Sequence, residues 1–86
     1  MSTETTLTVY GADWCPDTRR AKRLLDRRNV AYTWVDIEQD KNGEKFVLET
    51  NRGNRSIPTI VFEDDSILVE PSDDELAAKI FRTNLE

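Results

Sequence analysis

The sequence predicts an α/β domain in which a four-stranded mixed sheet carries helices on both faces. Residues 7 to 37 have the order strand, helix, strand within about 30 residues, which is typical of two parallel strands joined by a crossover helix. Residues 41 to 81 have the order helix, strand, strand, helix. A short acidic turn between the last two strands indicates an antiparallel hairpin.

The first strand and the first helix meet at a turn that contains the single cysteine. Alternating β-formers predict a strand over residues 6 to 10, which Gly11 ends. Pro16 stands where a helix begins, because the first helical residue needs no N–H donor. The helix is predicted over residues 16 to about 28, with Asn29 as its stop. Its predicted buried face consists of Ala21, Leu24 and Leu25.

The remaining elements follow from patterning and capping signals. A second strand is predicted over residues 30 to 37, a weaker helix over 41 to 51 that Gly53 breaks, and further strands over 59 to 62 and 66 to 70. Ser72 caps the last helix after Pro71, and Glu75, three residues on, completes a capping box. The predicted buried face of this helix consists of Leu76, Ala77, Ile80 and Phe81.

Length and composition indicate one small domain. The chain has 86 residues without internal repeats or a linker, so residues 1–86 are predicted to form a single domain whose residues 1–5 are frayed. No stretch approaches the roughly 18 apolar residues of a membrane helix, and no secretory signal is recognisable. We therefore expect a cytoplasmic monomer that does not act at a membrane.

The residue types present exclude several kinds of chemistry. The chain has one cysteine and no histidine, so it has no internal disulfide, no Cys–His or Ser–His pair and no set of four zinc ligands. Its net charge of −5 disfavours nucleic acid as a partner. We expect no bound metal and a chemistry that depends on one thiol, carboxylates or the backbone.

Cys15 directly precedes Pro16 and is therefore predicted at the N-cap of the first helix. The unpaired N–H groups and the positive end of the helix dipole favour a thiolate there. We interpret Cys15 as a partly exposed nucleophile; the alternative is a buried structural cysteine. Arg19 and the hydroxyl of Thr18 lie one turn away and are candidates to contact the sulfur, although both are also ordinary residues for a first helical turn.

The turn Trp14-Cys15-Pro16-Asp17-Thr18 and the segment Ser56-Ile57-Pro58-Thr59 resemble the glutaredoxin family, which has the thioredoxin fold. Together with the order of elements, the resemblance covers about residues 6 to 82. Residues 51–59 and 71–75 are most similar to the mycoredoxin-like branch, actinobacterial relatives that work with mycothiol instead of glutathione.

The resemblance implies a role for the residues on either side of the sulfur. Cys15 corresponds to the nucleophile, with Trp14 and Pro16 as its supporting neighbours. Pro58 corresponds to a cis-proline that faces the sulfur. Ile57 would offer its backbone N–H and C=O to an extended thiol compound, as an added strand does.

The resemblance also implies contacts with the small thiol farther from the sulfur. Ser72 and Asp73, at the start of the last helix, would hold a carboxylate through backbone N–H groups. Arg52 and Arg55 are candidates to bind another anionic group. The alternative, which has equal weight, is that both are solvated arginines of a loop.

Thr18 stands where dithiol members of the family carry a second cysteine. The sequence therefore predicts a monothiol thiol–disulfide oxidoreductase, which reduces mixed disulfides between client proteins and glutathione or mycothiol. One alternative is a dimer that holds an iron–sulfur cluster through two Cys15 sulfurs and two external thiols, although the Cys-Gly-Phe-Ser motif of such proteins is missing. Another is a non-catalytic adaptor that binds a protein partner through its charged faces.

Overall fold

The computed structural model describes residues 7–84 of the chain, and side-chain surroundings are described for residues 7–80. The predicted order of seven elements is confirmed. Their bounds are β1 Leu7–Gly11, α1 Pro16–Arg27, β2 Tyr32–Asp36, α2 Lys41–Thr50, β3 Thr59–Val61, β4 Ile67–Val69 and α3 Asp73–Asn84. Residues 1–5, predicted to be frayed, and Thr6, predicted in the first strand, lie outside the described residues.

The four strands form one mixed sheet in the order β2-β1-β3-β4. β1 is parallel to β2 and antiparallel to β3, and β3 and β4 form an antiparallel hairpin. The central register aligns Val9 with Trp34 on one side and with Ile60 on the other. Both Val9 and Ile60 are fully buried, since β1 and β3 are the inner strands. The predicted mixed sheet is confirmed.

The helices divide the core into two parts. α1 and α3 pack against one face of the sheet, where the larger core cluster contains Leu7, Val9, Ala21, Leu24, Leu25, Val30, Ile60, Phe62, Leu76 and Ile80. α2 packs on the other side, and its Val47 belongs to a smaller cluster with Ala12, Cys15, Ile37 and Ile57. The predicted buried face of α1 is confirmed. Ala77 is only partly buried, and the side chain of Phe81 lies outside the described part.

Several element ends differ from the sequence prediction. β2 begins at Tyr32, not at residue 30, because Val30 donates its N–H to the Leu25 carbonyl (2.9 Å) and so still belongs to the end of α1. Asn29 takes a left-handed φ of 59°, which confirms it as the stop of this helix. Gly53 also has a left-handed φ of 91° as it closes α2. Within residues 7–84, no helix is long and apolar enough to cross a membrane.

Candidate active site

Cys15 is the N-cap of α1, as predicted. Its backbone is extended, with φ −81° and ψ 119°, and Pro16 follows as the first helical residue. The turn before it is closed by a hydrogen bond from the Cys15 N–H to the Ala12 carbonyl (3.1 Å), and the Cys15 carbonyl accepts from the Arg19 N–H (3.0 Å). The first-turn N–H groups of α1, which have no intrahelical partners, therefore converge on the end of the helix that carries the thiol.

The Cys15 thiol is more buried than the sequence suggested. The residue is 8% exposed and packs with Ala12 and Ile57, which itself is 7% exposed. The predicted partial exposure is thus wrong, because the β1–α1 turn folds back on the segment before β3. The Sγ atom lies 3.9 Å from the carbonyl oxygen of Ile57, within range of a long sulfur hydrogen bond.

The peptide bond between Ile57 and Pro58 is cis, which confirms the expectation drawn from the resemblance. Hydrogen bonds fix this segment on both sides. The Pro58 carbonyl accepts from the Glu70 N–H at 2.8 Å, and the Thr59 hydroxyl donates to the Ser56 carbonyl at 2.7 Å. The backbone that faces the thiol is therefore held by its own sheet and does not depend on a bound partner.

Thr18 does not form a hydrogen bond with the sulfur of Cys15. Its side chain is fully buried, and its hydroxyl oxygen has no hydrogen-bond partner among the described residues. The side chain instead packs against Gly11, where an added Cβ would lie 2.6 Å from the Thr18 Oγ1 atom. The predicted hydrogen bond from Thr18 to Cys15 is therefore not formed, because the first helical turn directs this side chain inward beneath the active-site turn.

Arg19 also differs from its predicted role. Its Nη1 atom donates to the carbonyl oxygens of Asp13 (3.1 Å) and Trp14 (3.2 Å), so its guanidinium holds the turn and not the sulfur. These two carbonyls precede Cys15 and are not part of any strand. Arg19 thus stabilises the backbone that presents Cys15.

Glu38, which the sequence analysis did not single out, joins two of the predicted residues. Its Oε2 atom accepts from the Trp14 indole N–H (3.1 Å) and from Arg55 Nη2 (2.7 Å). The hydrogen bond from Arg55, followed by that from Trp14, holds the pKa of the Glu38 carboxyl below its ordinary value. The position of Glu38 could have identified it from the sequence. Glu38 follows β2, and the carboxyl ends of parallel strands meet at one edge of a sheet, where sites commonly form.

The two candidate anion-binding arginines have different surroundings. Arg55 donates through Nη2 to Glu38 and through Nε to Glu44 (3.0 Å), and these carboxylates raise its pKa. Its charge is therefore already matched within the chain. Arg52 is exposed, has a left-handed φ of 57° and makes no ion pair among the described residues. Of the two, Arg52 is the one whose charge remains available.

The start of α3 forms the predicted capping box. The Glu75 N–H donates to the Ser72 hydroxyl (3.1 Å), and the Ser72 N–H donates to Glu75 Oε1 (2.9 Å). The Ser72 N–H, which the resemblance assigns to a bound carboxylate, is thus already engaged. The Asp73 carboxylate accepts from Arg20 Nε (3.1 Å), and Arg20 also pairs with Asp17 (2.8 Å), which is the main cause of its raised pKa.

The sequence profile of the glutaredoxin family matches residues 7–67. The chain belongs to the glutaredoxin family. A candidate glutaredoxin of Mycobacterium tuberculosis, Rv3198A, is 42% identical over 76 residues, which is 88% of this chain and 90% of the relative. Mycoredoxin 1 of Corynebacterium glutamicum is 35% identical over 74 residues, which is 86% of this chain and 91% of the relative. These relatives place the glutaredoxin with the mycoredoxin-like members, as its motifs indicated.

Solved structures show that the glutaredoxin has the thioredoxin-like fold. A glutaredoxin of Archaeoglobus fulgidus superposes with a TM-score of 0.70 at 22% identity, over 86% of this chain and 84% of that one. A buckwheat glutaredoxin, solved as a complex with glutathione, gives a TM-score of 0.66 at 21% identity, over 94% of this chain and 73% of that one. The predicted fold class is therefore confirmed.

Proposed function

We propose that this glutaredoxin-like thiol–disulfide oxidoreductase acts through Cys15 alone and removes a low-molecular-weight thiol from its mixed disulfides with client proteins. The observation that carries the proposal is the placement of the chain's one thiol, that of Cys15. It caps α1 and lies 3.9 Å from the Ile57 carbonyl. Thr18 stands at the position of a second cysteine and supplies a buried hydroxyl that is unable to form a disulfide.

Two exchange steps complete one cycle. The Cys15 thiolate attacks the small-thiol sulfur of the client's mixed disulfide, so a Cys15–small-thiol disulfide forms and the client leaves as a thiolate that takes a proton from solvent. The thiolate of a second small-thiol molecule then attacks the small-thiol sulfur on Cys15. The products are a symmetric small-thiol disulfide and the Cys15 thiolate, so the client sulfur is reduced to a thiol while the one free small thiol is oxidised. A stabilised thiolate is the better leaving group in this second step.

The small thiol is proposed to lie along the segment that precedes β3. Ile57 and Pro58 present backbone next to the sulfur, and an extended compound can pair with such backbone as an added strand does. Mycothiol is the co-substrate we favour, because a mycoredoxin is among the relatives. Mycothiol has no carboxylate, so it would use the backbone of Ile57 and Pro58. Glutathione is the alternative. Its carboxylates would be held by the N–H of Asp73, since the Ser72 N–H already serves Glu75, and by Arg52.

The proposal places a monomer in a reducing compartment such as the cytoplasm, where a lone cysteine remains a thiol. It is tested by mass spectrometry of the protein after incubation with client mixed disulfides of glutathione, mycothiol and bacillithiol. We expect one small-thiol adduct on Cys15 and its removal by the same free thiol. Absence of every adduct would overturn the proposal.

The alternatives predict other results with the same protein. An iron–sulfur dimer would turn brown and double in mass after anaerobic reconstitution with iron and sulfide. A non-catalytic adaptor would take up no adduct from any of the three mixed disulfides. No contact among residues 7–80 favours either alternative over the exchange reaction.

A further inference from the structure

A closed series of contacts connects the segments on either side of Cys15. On one side, Trp14 precedes Cys15, and its indole N–H donates to Glu38 Oε2 (3.1 Å). On the other side, Arg55 donates to the same oxygen at 2.7 Å, and the chain continues from Arg55 to Ile57, whose carbonyl lies 3.9 Å from the sulfur. Among the hydrogen bonds described for residues 7–80, Glu38 is therefore the side chain that joins the segment of Trp14 to the segment of Arg55.

The two backbone turns in this series of contacts are fixed, whereas the indole is not fixed by packing. Trp14 is 60% exposed, although its carbonyl is bonded to Arg19. The backbone of Glu38 is held by a hydrogen bond from its N–H to the Asp36 carboxylate (2.9 Å), and the neighbouring Ile37 N–H donates to the end of β1. An exposed ring on a fixed backbone takes its orientation from the group to which it is hydrogen-bonded. For Trp14, that group is Glu38.

We propose that Glu38, oriented by Arg55, is a positioning residue that fixes the Trp14 indole as a wall beside Cys15 and thereby sets the affinity for the incoming mixed disulfide. This inference rests on the proposed function, because it concerns the substrate of the same sulfur. The described hydrogen bonds of the Glu38 carboxylate are to Trp14 and Arg55 and not to Cys15. Replacing Glu38 is expected to raise KM and to leave the rate of exchange in the bound complex unchanged.

Arg55 has a different role in this account from the one implied by the family resemblance. It orients Glu38 through Nη2, while its Nε atom is bonded to Glu44 at 3.0 Å. The two carboxylates and one guanidinium form a group with a net charge of −1. Glu44 shares the cation but has no hydrogen bond to the indole among the described contacts, so it provides a matched control.

The kinetic test uses a peptide that carries a glutathione mixed disulfide as the probe. Glu38→Ala is expected to raise KM about two- to tenfold with kcat retained, the range that corresponds to the net loss of one ordinary, solvent-exposed hydrogen bond. Glu38→Gln keeps an acceptor for the indole and should restore most of the affinity. Glu44→Gln should leave KM unchanged. An equal rise in Glu38→Ala and Glu44→Gln, or a fall in kcat alone, would contradict the proposal.

A second readout does not depend on turnover. The chain has two tryptophans, so its indole ¹H–¹⁵N spectrum has two signals, and Trp14→Phe identifies which belongs to Trp14. We expect the Trp14 indole N–H to exchange faster with solvent in Glu38→Ala and at the wild-type rate in Glu44→Gln. Unchanged exchange in Glu38→Ala would overturn the positioning role. If the proposed function fails and no variant turns over the probe, this exchange measurement still decides whether Glu38 holds the indole.

A double-mutant cycle separates positioning of the indole from a general disturbance of the loop. In the Trp14→Phe background there is no N–H for Glu38 to accept, so adding Glu38→Ala should change KM by less than twofold. If Glu38→Ala raises KM as much in this background as in the wild type, Glu38 acts by a route other than the indole.

Discussion

The sulfur of Cys15 lies 3.9 Å from the carbonyl oxygen of Ile57, a residue 42 positions further along the chain. The contact joins the start of α1 to the segment with the cis peptide bond before β3. It places the proposed nucleophile beside backbone that can pair with an extended compound. A thiol bound to Cys15 would therefore meet ordered polar groups directly at the reacting sulfur.

The unpaired hydroxyl of Thr18 gives a first prediction, on stability. Thr18 and Thr59 are both fully buried, but only the Thr59 hydroxyl is satisfied, by Ser56 (2.7 Å) and Asn51 (3.2 Å). Thr18→Val should raise the free energy of unfolding by about 1 kcal/mol, since it removes a buried polar group without a partner. Thr59→Val should lower it by about 1–3 kcal/mol. Urea unfolding measures both, and a loss of stability in both variants would contradict this explanation.

Gly11 supplies a second prediction because it lies against the same side chain. A Cβ at this position would lie 2.6 Å from Thr18 Oγ1 and 2.7 Å from Thr18 Cγ2. Gly11→Ala should therefore reduce the free energy of unfolding by about 1–3 kcal/mol, as overpacking does. Adding Thr18→Ala removes both clashing atoms and should recover part of this loss. If the second substitution makes the protein still less stable, the clash is not the cause.

Thr18→Cys tests the monothiol route. The new thiol would stand three residues after Cys15 at a helix start, the spacing of redox dithiols. It should displace a small thiol from Cys15 within the molecule, at an effective concentration far above that of any free thiol. Mass spectrometry should show an intramolecular disulfide in the variant and a persistent small-thiol adduct in the wild type. A persistent adduct in both proteins would contradict the prediction.

The contact between Glu38 and Trp14 should depend on pH. Hydrogen bonds from Arg55 and Trp14 hold the pKa of Glu38 below its ordinary value of 4.5. A carboxylate with a depressed pKa in the folded protein keeps its contacts above the ordinary value and loses them as the pH falls through the folded value. The Trp14 indole signal should therefore shift only below pH 4.5. A midpoint at or above that value, or the same curve in Glu38→Gln, would be the contrary result.

The fold was predictable from the sequence because its signals are local. Pro16 marks the start of α1, the pair of Ser72 and Glu75 marks the start of α3, and alternating apolar residues mark the strands. The cis bond at Pro58 was a different case. Few X–Pro bonds are cis, so it followed from the family resemblance and not from local sequence.

The contacts of the site were less predictable because they depend on the packed structure. Glu38 and Arg55 are 17 residues apart, and Arg20 and Asp73 are 53 residues apart, so no spacing rule brings these pairs together. Thr18 illustrates a second reason. Spacing placed it one turn from Cys15, but the burial of its side chain against Gly11 decided its direction. The sequence predicts which residues lie near the start of the helix. The direction of each side chain depends on the packing of the folded protein.

The central claim is that Cys15 performs the exchange without a second thiol of the chain. The most direct measurement is the release of the free client thiol from its mixed disulfide by wild type and Cys15→Ser, with and without free small thiol. The account predicts one release per wild-type molecule without free thiol, continued turnover when free thiol is added, and no release by Cys15→Ser. Release by Cys15→Ser, or repeated wild-type turnover without free thiol, would contradict it.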